Sequence, residues 1–451
     1  MIRWSLSKTA RCMLLIFLSF WWTSSAYLAW MYRLMDLGVV RETLDLCTNL
    51  LAYVLQALGL GAFAWMVHRR PALAEKRAFL AAVGLDLLCL TGVVLLPGVP
   101  AVLGLGLGMN FLHGMVAGWY LYRLTLQVEW KRRGLAFGLG YGLASVLGWA
   151  VSLPAGGALQ RGLPALGLCL LVAALSGLLL VGEQLSAPKE STDSEPSPAR
   201  TTLALAGVTL FLLSLVKSLG FGFPSADLGQ GVSLELSRAF YAVGLVIAGL
   251  VSDRDRKYGA ICCAASLGVP FLMLTMSGQV GPSVVLWALN YLLFGFFTVF
   301  RVIFFSDLSE KYPSLLAFSG CGLLFGRLGD AAGAGGNLLL AGHRSMLVAV
   351  TAVLFAAAIV CFLLLYQKIY LPAPIRVKSE EERFGEFAVR YGLSAREQEV
   401  LKLLLAGQSN KEIGDALFVS ERTVKYHMHN LLEKTGAENR GGLVALYRRG
   451  D

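Results

Sequence analysis

Charged residues are scarce in this chain. Asp, Glu, Lys and Arg make up 15% of its 451 residues, whereas hydrophobic residues make up 56%. A soluble globular domain carries about 25% charged residues. The deficit excludes a wholly soluble protein, although the formal net charge is +10. The basic residues lie in short gaps between apolar stretches and in the last part of the chain.

The chain also lacks the patterns that carry metal or enzyme chemistry. None of its eight cysteines forms a C-x-x-C pair with metal-ligand spacing, so we interpret them as small apolar packing residues. Phosphate-binding loops, nucleophile elbows, and kinase and zinc signatures are missing from the sequence. We therefore predict a protein that is not an enzyme, with no catalytic residue, metal or cofactor.

Long apolar stretches fill the first 367 residues. A helix needs about 20 apolar residues to cross a bilayer. Twelve stretches meet this requirement, at roughly 12–32, 43–67, 77–96, 100–122, 134–153, 163–181, 202–221, 231–251, 258–277, 282–305, 313–340 and 344–367. The eleventh is rich in glycine, so we expect it to be bent or broken. The first is interpreted as a retained helix rather than a signal peptide, because many spans follow it.

The placement of Lys and Arg predicts the orientation in the membrane. With the N-terminus in the cytoplasm, eighteen Lys and Arg residues fall on the cytoplasmic side, Arg301 among them. Four fall on the opposite side: Arg33, Arg41, Arg161 and Arg344. An even number of spans returns the C-terminus to the cytoplasm. We therefore predict a multi-pass protein of the cell membrane with both termini in the cytoplasm.

A polar segment divides the twelve stretches into two sets of six. Residues 183–201 are rich in Pro, Ser, Asp and Glu without apolar periodicity, which predicts a disordered cytoplasmic linker. The two halves of the membrane region are then 1–182 and 202–367. This organisation resembles the major facilitator superfamily, whose halves are repeats around a midplane cavity.

Local sequence carries the same resemblance. The segment GLVSDRDRKYG is similar to the superfamily's loop signature G-x-x-x-D-R-x-G-R-R, with Gly249, Asp253 and Arg254 in place and Arg256 at the second Gly. RRGLAFGLGYGLASVLG resembles the start of the superfamily's fifth helix. The corresponding first-half loop, HRRPALAEKRA, has no Asp at the signature position. In the superfamily that Asp helps to lock and release the halves, so its absence argues against active transport.

Polar side chains inside the stretches are functional candidates, because a charge costs about 2.5–3.5 kcal/mol at the centre of a span. They are Asp86, Asn110, His113, Lys217, Glu235, Arg238, Asn290, Arg327, Asp330 and Asn337. Pairs three residues apart, 235 with 238 and 327 with 330, can be local helix pairs.

Four of these side chains are the predicted ligand-binding residues: Asn110, His113, Lys217 and Asn290. They lie in the fourth, seventh and tenth stretches, which line the cavity in the resembled superfamily. The ligand is a small molecule of unknown identity, and a packed, hydrogen-bonded role for His113 stays open. The aromatic residues of the first and fourth stretches either line a pocket or form an interfacial belt; they are Trp21, Trp22, Tyr27, Trp119 and Tyr120.

The last sixty residues, 392–451, have the pattern of four short helices, joined to the membrane region by a linker at 368–391. Ser394 and Glu397 form a capping box before an apolar helical face. A second helix is predicted from Asn410 to Leu417, and Ser420 is a good N-cap for a third. The inward face of the third helix is Val424, Met428, Leu431 and Thr435. Its outward face is Arg422, Lys425, Tyr426 and His429. Two helices joined by a tight turn, the second with a basic outer face, indicate a helix-turn-helix motif.

Fixed motifs extend this pattern to a family. LSAREQEVL, GQSNKEI, SERTVKYH and ENR resemble the LuxR/NarL-type transcriptional regulators. The resemblance implies that Lys425, Tyr426 and His429 face DNA bases. It implies positions near phosphates for Thr423, Lys411, His427 and Arg440. It further implies a dimer contact through the fourth helix, with Leu443, Val444 and Leu446. Gly414 departs from the family's usual Ala and is expected to cost about 1 kcal/mol of helix stability.

We therefore predict an all-α protein: a twelve-helix membrane bundle followed by a small LuxR-type DNA-binding domain. The predicted function is a one-component transcription regulator that senses a small molecule or a transport state through the bundle. The alternative is an active transporter with an autoregulatory or vestigial tail. The predicted partners are promoter DNA, the bilayer, the unknown ligand and a second copy of the chain, with RNA polymerase as a further candidate.

Overall fold

Helices account for the secondary structure of two separate units. The computed structural model describes residues 7–152, 154–181, 200–222, 234–276, 283–371 and 380–449, and it has no β-strand within them. The chain divides into Met1–Leu371 and Pro372–Asp451. The predicted all-α fold is confirmed, and most of the linker predicted at 183–201 lies outside the described residues.

The first unit has fourteen labelled helices within the described residues. Their bounds are α1 Lys8–Asp36, α2 Arg41–Asp45, α3 Ala52–Arg69, α4 Lys76–Leu95, α5 Val99–Gln127, α6 Arg133–Ser152, α7 Gly162–Leu179, α8 Arg200–Gly222, α9 Leu234–Arg254, α10 Arg256–Ser266, α11 Gly268–Met276, α12 Ser283–Lys311, α13 Cys321–Leu339 and α14 Arg344–Tyr370. A π-helical segment, Leu46–Leu51, makes α2 and α3 continuous. Short 3-10 helices lie at Pro71–Ala74, Trp130–Arg132, Pro154–Gln160 and Pro313–Phe318.

Ten helical segments of the described residues are long and apolar enough to cross a membrane. They coincide with ten of the twelve predicted stretches. At the eighth and ninth stretches the structure has α9 and the pair α10–α11, which is interrupted at Leu267. The eleventh stretch was expected to be bent or broken; α13 itself is an unbroken helix, and the break falls before it, after Pro313–Phe318.

Two glycines let α6 and α9 cross in backbone contact. A Cβ atom on Gly134 would lie 2.7 Å from the carbonyl oxygen of Gly249, and one on Gly249 would lie 2.5 Å from that of Gly134. Any larger residue would push the helices apart. The close crossing brings the C-terminal end of α9 against the N-terminus of α6.

The second unit contains α15 Glu380–Arg390, α16 Ala395–Leu405, α17 Asn410–Leu417, α18 Glu421–Thr435 and α19 Arg440–Arg449. Its apolar core includes Val400, Leu401, Leu404, Ile413, Val424, Leu431 and Leu443. The lead-in helix α15 joins this core through the buried residues Phe387 and Ala388. The unit thus buries an apolar core of its own.

Candidate DNA-binding face and membrane cavity

The two faces of α18 lie as the sequence predicts. Val424, Met428 and Leu431 are buried in the core of the second unit, and Thr435 is half-buried. Four side chains of the outward face are exposed: Arg422, Lys425, Tyr426 and His429. An exposed helical face with basic and hydrogen-bonding groups has the shape and chemistry that the major groove of DNA accepts.

A tight turn fixes the angle between α17 and α18. Ser420 caps α18 by accepting a hydrogen bond from the backbone N–H of Thr423 at 3.2 Å. Phe418 ends α17 in the left-handed region, with φ +55°. A Cβ atom on Gly414 would lie 2.9 Å from the carbonyl oxygen of Val419. In this chain Gly414 thus lets the backbone of the turn approach α17 closely.

Lys425 is already paired with an acid of its own helix. Its Nζ lies 2.8 Å from a carboxylate oxygen of Glu421, and both side chains are exposed. The hydrogen bond from Lys425 lowers the pKa of Glu421 below its usual value. An ion pair in water is weak, so Lys425 can exchange Glu421 for a base edge or a phosphate.

The residues expected near phosphates occupy different environments. Lys411 is exposed, whereas Thr423 and His427 are half-buried. The guanidinium of Arg440 donates to the carbonyl oxygen of Gln408 and, at 3.2 Å, to the side chain of Asn410. Arg440 thus holds the loop before α17, and a phosphate contact by this residue stays a prediction.

The expected dimer contact needs a correction at one residue. Leu443 is 0% exposed and lies in the core of the second unit. Val444 and Leu446, on the same helix, are half-buried. Leu443 therefore stabilises its own unit and cannot reach a second copy, because a helix that packs on the core turns its most apolar position inward.

A buried carboxylate braces the start of α16 against the end of α18. Glu397 accepts a hydrogen bond from the backbone N–H of Ser394 at 2.8 Å and completes the predicted capping box. Its carboxylate also lies 2.7 Å from Nζ of Lys434. Burial opposes ionisation, but the hydrogen bonds from Lys434 and Ser394 outweigh it and lower the pKa of Glu397.

In the first unit, the Asp of the loop signature joins the two halves. Asp253, at the end of α9, accepts hydrogen bonds from the backbone N–H groups of Gly134 at 2.8 Å and Leu135 at 2.7 Å. These groups begin α6, where a helix leaves its N–H groups unpaired and attracts negative charge. The carboxylate of one half thus caps a helix of the other.

Two arginines extend this junction. Arg256, in place of the signature's second Gly, donates to Asp253 at 2.8 Å and to the carboxylate of Asp307 on α12. From the other half, Arg133 lies 3.2 Å from Asp307 and 2.7 Å from Glu310. The departure from the signature therefore adds a cation to the network instead of removing a contact.

The corresponding junction, between the start of α13 and the connection from α3 to α4, is built differently. The N-terminus of α13 has Gly320 at its cap and no side-chain hydrogen bond. His68, near the end of α3, contacts this region at Phe318, with 5.3 Å between the ring centroids, and the loop that follows α3 lacks the signature Asp. At this second junction no side chain of the described residues caps the helix, whereas Asp253 does so at the first.

A cavity of about 390 Å³ lies among the helices of the first unit. Its walls carry one phenylalanine and six tyrosines: Phe20, Tyr27, Tyr53, Tyr120, Tyr141, Tyr241 and Tyr291. Its polar walls include Thr23, Ser24, Ser25, Gln56, His113, Ser145, Gln160 and Arg327. Both halves contribute, as expected for a central site. A volume of this size accommodates a small organic molecule.

Of the four predicted ligand residues, His113 lines this cavity and the other three do not. Asn110 is buried and accepts a hydrogen bond from Gln56 at 2.8 Å. Lys217 pairs with Asp330. Asn290 is buried, and its amide has no hydrogen-bond partner among the described residues. A ligand role for these residues stays a prediction, and Tyr27 and Tyr120 are the predicted aromatic residues that reach the cavity.

His113 has a buried acidic partner. Its Nε2 lies 3.1 Å from a carboxylate oxygen of Asp86, and both side chains are almost fully buried. The ring of His113 also meets the edge of Trp22, with 5.7 Å between the ring centroids. Asp86 is thus the close acidic neighbour of a side chain that reaches the cavity wall.

A cluster of charges lies beside the cavity. Asp330 lies 2.6 Å from Lys217, 3.1 Å from Arg301 and 3.8 Å from Arg327. The predicted pair of Arg327 and Asp330 is present in this larger group, whereas the side chains of Glu235 and Arg238 lie outside the described residues. Arg301 was assigned to a cytoplasmic segment, which is wrong, because it is buried within α12. The asymmetry of basic residues persists without it.

Comparison with known proteins agrees with both units. The family "Bacterial regulatory proteins, luxR family" matches residues 392–447. Spore germination protein GerE of Bacillus subtilis (strain 168) is 40% identical over 67 residues, which are 15% of this chain and 90% of GerE. Transcriptional regulatory protein DegU of Brevibacillus brevis is 50% identical over 66 residues, 14% of this chain and 28% of DegU. The chain thus spans less than a third of DegU's length.

The fold of the membrane region also has a solved counterpart. The crystal structure of the human organic anion transporter MFSD10 (TETRAN) superposes with a TM-score of 0.57 at 17% sequence identity, covering 79% of this chain and 99% of that one. This likeness shows the fold of a major facilitator superfamily transporter. The protein is therefore a multi-pass membrane protein with a DNA-binding regulator domain. Through that domain the chain belongs to the luxR family of bacterial regulatory proteins.

Proposed function

We propose that this protein is a membrane-embedded, one-component transcription regulator. The observation that carries the proposal is the exposed basic face of α18, in a luxR-family unit that shares its chain with a bundle around a polar cavity. The cavity binds a small molecule, and the bundle passes its state to the DNA-binding unit. Neither unit belongs to an enzyme class.

In this proposal α18 enters the major groove of promoter DNA. Lys425, Tyr426 and His429 face the base edges, where a lysine can reach guanine oxygen and nitrogen acceptors. Arg422 belongs to the same DNA-binding face, and the flanking groups near the phosphates are Thr423, Lys411, His427 and Arg440. Phosphate contacts release counterions, so binding falls steeply with salt.

Pairing of two copies is the proposed switch. One helix-turn-helix reads half a site, and two copies together read a two-fold operator. A ligand shifts this equilibrium only if it binds two states of the bundle with different affinity. The two junctions differ, because Asp253 caps a helix of the other half at one of them and no side chain in the described part of the chain does so at the other, and this asymmetry supports two such states. RNA polymerase is the candidate partner after DNA binding.

The proposal requires both termini and the 183–201 segment to lie in the cytoplasm, where DNA is. The protein then resides in the cell membrane. Fusions of a cytoplasm-active and an outside-active reporter at residue 451 and within the linker test this placement. An outside position of residue 451 would refute the proposed regulator.

Lys425→Ala is the direct test of the DNA-binding role. The second unit can be tested as a fragment of residues 372–451, because it has its own core and because the same module makes up 90% of GerE. We expect the fragment to bind DNA from upstream of its own gene, and the substitution to weaken specific binding by about 1–3 kcal/mol. Fluorescence anisotropy over a series of salt concentrations measures the DNA affinity of the fragment and of the variant.

Lys402→Ala is the matched control, because Lys402 is exposed on α16, away from the helix-turn-helix pair. It should leave specific binding near the wild-type value. An equal loss on operator and random DNA for Lys425→Ala would show that this residue contacts only the backbone. No binding of any DNA by the fragment would contradict the regulator proposal.

A further inference from the structure

Positive charge is in excess beside the cavity. Lys217, Arg301 and Arg327 surround the one carboxylate of Asp330. The four side chains come from α8, α12 and α13, and all are mostly buried. Among the described residues, this group therefore carries two positive charges that no carboxylate balances. A buried charge without a counter-ion is costly.

Arg327 is the least neutralised member of the cluster. The two oxygens of Asp330 lie close to Lys217 and Arg301, at 2.6 and 3.1 Å, whereas Arg327 is 3.8 Å away. Arg327 is also the cluster residue that lines the cavity. Its guanidinium lies 4.8 Å from the ring centroid of Tyr53, a second lining residue. The unbalanced charge is thus directed to the space that a ligand would fill.

The rest of the cavity wall suits the same kind of ligand. No carboxylate belongs to the part of the wall that the described residues form. The wall offers tyrosine, serine and glutamine groups, which can donate hydrogen bonds to an anion. Phe20 stacks on Tyr141 with ring centroids 3.8 Å apart, and Tyr241 meets Tyr141 edge-on at 5.4 Å. These rings form an apolar surface for a flat molecule.

We propose that the cavity binds a small organic anion with an aromatic body, and that Arg327 holds its anionic group. A guanidinium binds a carboxylate through two parallel hydrogen bonds, which fixes orientation as well as charge. The sign of the ligand's charge follows from this chain's own residues, because a fold match at 17% identity carries no information about ligands. The inference rests on the proposed sensor function and names the class of molecule that is sensed.

Three probes of one shape and different charge test the proposal. They are 2-naphthoate, 2-naphthamide and 2-naphthylmethylammonium, added to the purified full chain in lipid nanodiscs. A ligand that binds only the folded protein raises its unfolding temperature. We expect 2-naphthoate to bind at least about 10-fold more tightly than the amide or the ammonium, because only the carboxylate brings a negative charge to Arg327 and can accept two parallel hydrogen bonds from its guanidinium.

Variants of Arg327 test whether this residue binds the anionic group of the probe. Arg327→Gln should weaken 2-naphthoate binding by about 10- to 100-fold and remove the preference for the anion. Arg327→Lys should keep that preference with lower affinity, since it retains the charge but loses the planar fork. Arg69→Gln removes an exposed arginine outside the cavity and should leave binding unchanged.

Several outcomes would overturn the proposal: equal binding of all three probes, preferred binding of the ammonium, binding by none of them, or wild-type affinity in Arg327→Gln. If Arg327→Gln does not fold, as judged by gel filtration, the order of affinities of the three probes for the wild-type protein still tests the proposal. The assay contains no DNA. Loss of anion binding with intact DNA binding by the fragment would therefore refute this inference alone, and the reverse result would refute the regulator.

Discussion

The two cationic regions of this protein differ in what surrounds the charge. On α18, Arg422 and Lys425 are exposed, and the one paired acid, Glu421, is exposed as well. In the bundle, Lys217 and Arg301 are drawn to Asp330, which is 3% exposed. Water and salt screen the exposed charges of α18, so these side chains need no fixed partner in the absence of DNA. The second group is held in place by its carboxylate.

The comparison implies that the effect of removing a carboxylate depends on its burial and on the groups that it holds in place. Four carboxylates form a graded series in which every member contacts a cation or a backbone N–H group. In order of expected effect they are Asp330, Asp253, Glu397 and Glu421; the first three side chains are at most 9% exposed, whereas that of Glu421 is 49% exposed. Each unit contributes two members, so the effects can be compared within one unit.

Asp330→Asn should have the largest effect. The substitution keeps the shape of the side chain but leaves three buried cations without a carboxylate, which costs about 3–5 kcal/mol when one partner of a buried pair is removed. The free energy of unfolding of the full chain in SDS-containing mixed micelles, followed by circular dichroism, measures it. Asp36→Asn in the same unit is the control, because Asp36 forms an exposed ion pair with Arg161. A loss no larger than that of an exposed carboxylate would show that water reaches the cluster.

The exposed basic face of α18 could be predicted from the sequence better than the buried charge cluster around Asp330, and the reason is physical. The face of α18 depends on helical periodicity, so Val424 and Lys425 could be assigned to opposite faces before any fold was known. The buried cluster depends on which helices become neighbours. Arg327 and Asp330 lie on one helix and were predicted as a pair, but Lys217 and Arg301 come from distant parts of the chain.

The same limit explains the individual errors. Arg301 was counted with cytoplasmic residues because it lies near the end of the tenth apolar stretch, and the packing of α12 against α13 places it inside, beside Asp330. Leu443 was assigned to a dimer contact because its helix has this role in the family, although the core of the unit needs an apolar residue there. The cavity residues Gln56, Tyr53 and Tyr141 carry no local signal, because their common site exists only after the helices assemble.

Asp253→Ala should have the second largest effect. It removes a carboxylate that accepts two backbone N–H groups of α6, and a hydrogen bond to a charged group contributes about 1.5–3 kcal/mol. We expect a loss in this range in the same unfolding assay. Asp255→Ala is the matched control, because Asp255 caps its own helix α10 instead of bridging the halves. Equal losses for the two variants would show that the junction contributes no more than an ordinary helix cap.

Glu397→Gln should have a smaller effect that depends on pH. The amide keeps part of the capping box but loses the ion pair with Lys434, which costs about 1 kcal/mol, since Lys434 is partly exposed and solvent screens the pair. Urea unfolding of the 372–451 fragment measures the loss. Glu399→Gln is the control on the same helix, because Glu399 forms an exposed pair with Arg396.

The pH dependence of Glu397 has a definite sign. Its pKa in the folded unit is lowered from the ordinary value of 4.5, so its contribution to stability is present above pH 4.5 and is lost as the pH falls through the lowered pKa. The wild-type fragment should therefore lose more stability than Glu397→Gln between about pH 5 and pH 3. Parallel pH profiles for the two proteins would contradict the assigned role of this carboxylate.

Glu421→Gln should have the smallest effect on stability and an effect of opposite sign on DNA binding. Glu421 is exposed, so loss of its pair with Lys425 should not change the urea midpoint of the fragment measurably. DNA binding should become tighter by a small factor on operator and random DNA alike, because Lys425 no longer has to leave a carboxylate and one negative charge is removed near the phosphates. In the double variant with Lys425→Ala, the part of the gain that comes from freeing Lys425 should vanish, so that a double-mutant cycle gives a coupling between the two residues. If Glu421→Gln instead weakens DNA binding, Glu421 positions Lys425 for its contact, and the exposed pair would resemble the buried cluster in holding a cation where it is needed.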